Sequence, residues 1–127
     1  MSYILGDDLG PVEVVETVPF VAQAKGLLNH AEREELIDFL ASNPATVAPL
    51  PRTGGVRKIR WAVKGKGKSG GVRVIYYYHS HQMPLYLVSV FSKAAKENLT
   101  SADEKIMRRF TAAIKKAYRK DLGYERI

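Results

Sequence analysis

Cysteine is absent, which excludes disulfides, thiolate nucleophiles and cysteine-ligated zinc. Histidine is scarce, at His30, His79 and His81, and none stands among acids at metal-ligand spacing. No metal and no cofactor is therefore expected. No run approaches the ~18 consecutive apolar residues of a membrane span, so no membrane role is expected. Met1 to Gly10 lacks a basic start and carries Asp7 and Asp8, unlike a secretory signal, which makes a cytoplasmic location the expectation. The most telling absence is of acid. Residues 44–93 hold 9 basic residues and no acidic one, whereas residues 1–43 carry a net charge of −6. Exclusion of acid over so long a stretch points to a polyanionic partner, most often nucleic acid, because a merely soluble surface would mix both signs.

With 127 residues the chain suits one domain, expected over 12–120 between a leader at 1–11 and a tail at 121–127. The pattern alternates over residues 12–18, which predicts a short strand ending at Pro19. Helical spacing follows over 20–28 and 30–42, with Asn29 as stop and next N-cap and acids early in the second helix. Pro44, Pro49, Pro51, Gly54 and Gly55 predict a loop. Strands are expected over 56–63, 72–79 and 85–91, with a Gly/Lys loop at 64–71. Ser101-Ala-Asp-Glu104 reads as a capping box before a last helix whose apolar face holds Ile106, Phe110, Ala113, Ile114 and Ala117. The order β-α-α-β-β-β-α implies an α+β fold, a small antiparallel sheet with helices packed on one face.

Two glycine-lysine motifs fail on context. Ala62 to Ser69 resembles a phosphate-binding loop, but a strand follows it where that loop needs a helix N-terminus. Gly65 to Val72 fits a kinase glycine loop, yet no acid stands between Asp38 and Glu97 to hold metal or take a proton.

Strand parity does collect a constellation. Lys58 and Arg60 share a face of the first meander strand, Arg73 shares one with Ile75, Tyr77 and His79, and Leu85, Leu87, Ser89 and Phe91 alternate with Tyr86, Val88 and Val90, bringing Lys93 to the Phe91 side. In-register pairing would give one open face with Lys58, Arg60, Arg73 and Lys93, and Phe91 or Tyr77 beside them. Cations hold phosphates and aromatics stack bases, as single-stranded RNA requires. Such a face can also orient a 2′-hydroxyl for attack on its own phosphate and stabilise the developing charge. Composition and parity leave nuclease and non-catalytic binding both open. Lys64, Lys66 and Lys68, set between glycines, are expected to attract RNA rather than do chemistry.

Three segments, Gly54 to Arg60, Gly65 to Tyr77 and Leu87 to Lys93, resemble the RelE/HigB superfamily of bacterial toxins, especially its HigB-like branch. The resemblance implies the toxin of a type II toxin–antitoxin module, a ribosome-dependent endonuclease that cuts messenger RNA in the ribosomal A site. It implies as partners the ribosome, messenger RNA and a cognate antitoxin, often a helix-turn-helix DNA-binding protein. It also implies that Lys58, Arg60, Arg73 and Lys93 are the working residues; among them Arg73 is the expected phosphate clamp with Arg60 supporting it, Lys58 the candidate general base and Lys93 the candidate proton donor or second clamp. Some members carry a tyrosine where Leu99 stands here. The same fold hosts ParE-like gyrase inhibitors, the alternative activity.

Overall fold

In the computed structural model, which describes residues 10–63 and 71–121, apolar strands sit at the centre of the fold. The elements are β1 (Val14–Glu16), α1 (Val18–Ala24), α2 (His30–Ser42), β2 (Val56–Trp61), β3 (Val72–Tyr77), β4 (Leu85–Ser92) and α3 (Ser101–Asp121). The sheet order is β1-β4-β3-β2. The antiparallel meander β2–β3–β4 is the one the alternation predicts. β3 is buried along its whole length, as a central strand rich in Val, Ile and Tyr should be. The α+β class and the element order are those expected from the sequence.

Two particulars differ from the expected all-antiparallel sheet with one covered face. First, β1 pairs with β4 in parallel, so the sheet is mixed. The chain reaches β2 at the far edge only after α1 and α2; this crossover starts β2 in the same direction as β1, and the two reversals of the meander bring β4 back parallel to β1. The first strand is also shorter than 12–18, because Thr17 leaves it to cap α1: its hydroxyl accepts from the Phe20 amide at 3.4 Å and donates to the Leu87 carbonyl at 2.8 Å. Pro19 then falls in the first helical turn, where no intrahelical partner awaits its missing N–H.

Second, helices cover both faces. Phe20, Ala24, Leu28, Leu36 and Leu40 of the α1–α2 layer pack with Val72, Val74, Tyr76, Leu85, Leu87 and Val90. On the other face Met107, Phe110, Ile114 and Tyr118 of α3 pack with Val56, Ile75, Tyr77 and Val88. That second face carries too much apolar surface to stay open, since each buried large side chain contributes about 1.5–3 kcal/mol. α2 begins on a full capping box, Asn29 with Glu32, which buries the Glu32 side chain. α3 begins one residue earlier in its capping logic than Ser101: Thr100 and Asp103 exchange side-chain bonds with each other's amides at 3.1 and 2.9 Å. Glu104 instead meets Arg52.

A register shift at Ile75/Tyr76 marks a bulge in β4, where Leu87 faces Tyr76 but Ser89 faces Ile75. The extra residue, Val88, breaks strict alternation, so Leu85 and Leu87 lie on one face and Ser89 and Phe91 on the other. Unbroken alternation would have kept Phe91 with Leu87. The bulge turns it toward Arg73 instead, its direct cross-strand neighbour.

Candidate active site

Cross-strand pairing builds the site. Arg60 on β2 stands opposite Arg73 on β3, and Arg73 stands opposite Phe91 on β4. Lys58, two residues before Arg60, lies opposite Ile75 on the same face. Like charges directly opposite each other repel, so the Arg60–Arg73 pair calls for an anion. Glu97 supplies it, from the turn between β4 and α3.

Arg73 is deeply placed, its side chain 6 % exposed. Its Nε and Nη2 both donate to Glu97 Oε2, at 3.2 and 2.8 Å. Arg60 Nη2 lies 3.7 Å from the same oxygen, from a side chain that is 74 % exposed. Lys58 Nζ donates to the Glu97 carbonyl at 3.3 Å and to Asn98 Oδ1 at 2.8 Å, clipping the turn to β2. Lys93 is exposed at the start of that turn, and its amide donates to the Gly71 carbonyl at 3.2 Å. The hydrogen bond from Arg73 holds the Glu97 carboxyl below its ordinary range; partial burial opposes this, and the charges of Arg73, Arg60 and Lys93 reinforce it. The structure thus brings Lys58, Arg60 and Arg73 to one short segment and sets Lys93 within its field.

The aromatic residues fall differently from the open-platform expectation. Tyr77 is 2 % exposed, under α3, with no hydrogen-bond partner for its hydroxyl among the described residues, and burial raises its pKa. It offers no face to a base, because the apolar half of this sheet face is roofed by the helix. Phe91 is 9 % exposed, and Lys96 Nζ stands 5.0 Å from its ring centroid, so a cation covers one side. Lys96 is held there by Asp103 at 2.7 Å. Lys64, Lys66 and Lys68 lie outside the described residues.

Sequence reasoning missed the turn residues Lys96, Glu97 and Asn98. The available signal was Glu97 itself, the first acid after Asp38 in a chain segment otherwise wholly basic. His81 is tied instead to the sheet's far end, with Nδ1 2.8 Å from the Tyr78 hydroxyl and Nε2 3.1 Å from the Gly10 carbonyl. Among the described residues no three His, Asp or Glu side chains converge as a metal site, and no helix is long and apolar enough to cross a membrane.

A buried guanidinium fork, flanked by further cations and presented at one end of a rigid sheet, is a receptor for a small oxyanion. Its framework is shared: residues 50–124 match the family model described as RelE toxin of RelE / RelB toxin-antitoxin system.

Proposed function

The chain belongs to the RelE toxin family of toxin–antitoxin systems, and from that membership we propose that it is a ribosome-dependent messenger-RNA endonuclease of the HigB-like branch, opposed by a cognate antitoxin. The observation that carries this reading is the convergence of Arg73, Arg60 and Lys58 on the Glu97 segment, a ready oxyanion site on rigid strands.

In the proposed reaction the 2′-hydroxyl oxygen attacks the adjacent phosphorus, the bond from phosphorus to the 5′-oxygen breaks, and a cyclic phosphate and a 5′-hydroxyl result. Arg73 clamps a non-bridging oxygen and stabilises the charge that grows there, with Arg60 supporting it. Lys58, reacting as the neutral amine, takes the 2′-hydroxyl proton, and Lys93 supplies the proton of the leaving oxygen or a second clamp. The chemistry draws on these side chains and on no protein-bound metal. Lys64, Lys66 and Lys68 add long-range attraction to ribosomal RNA, which depends more on charge than on fixed geometry. Phe91 and Tyr77 act here as packing beneath the site rather than as exposed stacking platforms.

Induction in bacteria followed by mapping of new messenger-RNA ends tests the reading. Cuts in phase with codons are expected. DNA damage with intact messages would overturn it in favour of a gyrase-directed activity. Metal analysis of the purified protein tests the metal-free chemistry: a stoichiometric ion whose removal abolished cleavage without unfolding would refute it.

A further inference from the structure

Among the described residues Glu97 is the acidic side chain that pairs with the buried Arg73, and its placement has a functional reading. The Glu97 side chain is 42 % exposed while the Arg73 side chain is 6 % exposed, so Arg73 meets Glu97 from the deeper side. A single oxygen, Oε2, takes both Arg73 bonds and also faces Arg60. Carboxylate and phosphate oxygens are recognised by the same guanidinium fork, so a phosphate oxygen and Glu97 Oε2 want one position.

Mobility is divided suitably. Arg73 lies on the central strand between Arg60 and Phe91 and is held by packing. Glu97 lies on a turn outside any helix or strand, and its main chain is clipped by Lys58 through its carbonyl, not through its carboxylate. The carboxylate can therefore rotate away while the turn and the sheet stay in place.

We propose that Glu97 is an intramolecular competitor that occupies the scissile-phosphate position in the free protein and is displaced by the RNA substrate. This deepens the nuclease reading and rests on it. An isolated phosphate or a stray RNA backbone must displace a tethered carboxylate of high effective concentration and loses. A message held by many other contacts can spend that binding energy on the displacement. Glu97 thereby makes the cation cluster selective for a substrate presented on a larger surface.

The test compares native protein with Glu97→Gln, using a trinucleotide RNA made uncleavable by 2′-deoxy sugars at its first two nucleotides, and inorganic phosphate as a minimal probe. Fluorescence anisotropy reads RNA binding; the Arg73 Nε–H resonance reads phosphate occupancy. Glu97→Gln keeps a neutral acceptor for Arg73 and removes the competing charge, so both probes are expected to bind about tenfold tighter or more. Glu97→Asp, one methylene shorter, is expected to lie on the tighter side of native and serves if the glutamine variant does not fold. Unchanged or weaker binding in a folded variant would overturn the proposal and assign Glu97 to holding Arg73 in place. Cleavage of ribosome-bound message by native protein is scored separately. Tighter binding in Glu97→Gln without any cleavage by native protein would remove the nuclease reading and leave the competition standing. Cleavage by native protein without tighter binding would do the reverse.

Discussion

Replacing Arg73 by lysine and by alanine separates charge from geometry at the centre of the site. Arginine makes two bonds to one oxygen, at 3.2 and 2.8 Å, from a side chain 6 % exposed. Lysine keeps the charge but offers one nitrogen, so in the proposed reaction one of two charge-assisted bonds to the phosphate would be lost. At about 1.5–3 kcal/mol for such a bond, cleavage should slow about 10–100-fold. Alanine removes both bonds and the charge, which corresponds to roughly 10²–10³ in rate. Stability changes less. Alanine deletes two methylenes beside Phe91, at about 0.8 kcal/mol each, and the two bonds to the partly exposed Glu97, while relieving the repulsion of the directly opposed Arg60. A net loss of about 1 kcal/mol would lower Tm by roughly 3–5 °C, leaving the protein folded at growth temperature. Single-turnover cleavage of ribosome-bound message at saturating protein, with thermal unfolding of each variant, supplies both quantities. A lysine variant within threefold of native would refute the role of the fork, and an alanine variant of full toxicity at equal expression would refute the whole assignment of Arg73.

Other regions give sharper structural tests. The Asp103 carboxyl is held below its ordinary range, first by the Lys96 bond and then by the Thr100 amide, so its contribution is complete above the unfolded value of 3.8 and fades as pH falls through the lower folded one. Urea unfolding from pH 6 to pH 2.5 should show this loss (roughly below pH 4), and Asp103→Asn should flatten that arm. Burial pushes the Tyr76 hydroxyl up to about 12, against the opposing charge of Arg57, so the fold favours the neutral phenol. Stability should then be full below about pH 10 and fall between about pH 10 and 12. Tyr76→Phe should blunt that fall and cost about 1–2 kcal/mol at neutral pH, because the buried Pro44 carbonyl loses its donor at 2.9 Å; an unchanged alkaline arm in chemical unfolding would count against it. Gly54 has φ +79° and a Cβ there would run into the Thr111 side chain of α3. Gly54→Ala should cost about 2 kcal/mol or more, and adding Thr111→Ala should restore only part of it, since the backbone strain remains; full restoration of Tm would show that the clash alone matters.

The sequence by itself determined the element order, the antiparallel meander and the cations proposed to work together. Those features are local or periodic: alternation over 56–61 puts Lys58 with Arg60, alternation over 72–77 puts Arg73 with Ile75, in-register pairing joins the two sets on one face, and Asn29 and Glu32 cap α2 from three residues apart. The tertiary structure decided what depends on distant partners. The parallel pairing of β1 with β4 joins residues about seventy positions apart, and no local pattern encodes its direction. The single residue of the β4 bulge shifted the alternation behind it, so Phe91 reaches the Arg73 face expected for it while Leu85 and Leu87, which strict parity puts with it, lie on the other face. The roofing of Tyr77 followed from the apolar surface on the cationic face, which drew α3 over one half and left the Arg73 half for charge. Glu97 was legible only as a lone acid. That it sits on the guanidinium of Arg73 required the turn after β4 to fold back across the strand, because electrostatic pairing is fixed by distance in space and not by distance along the chain.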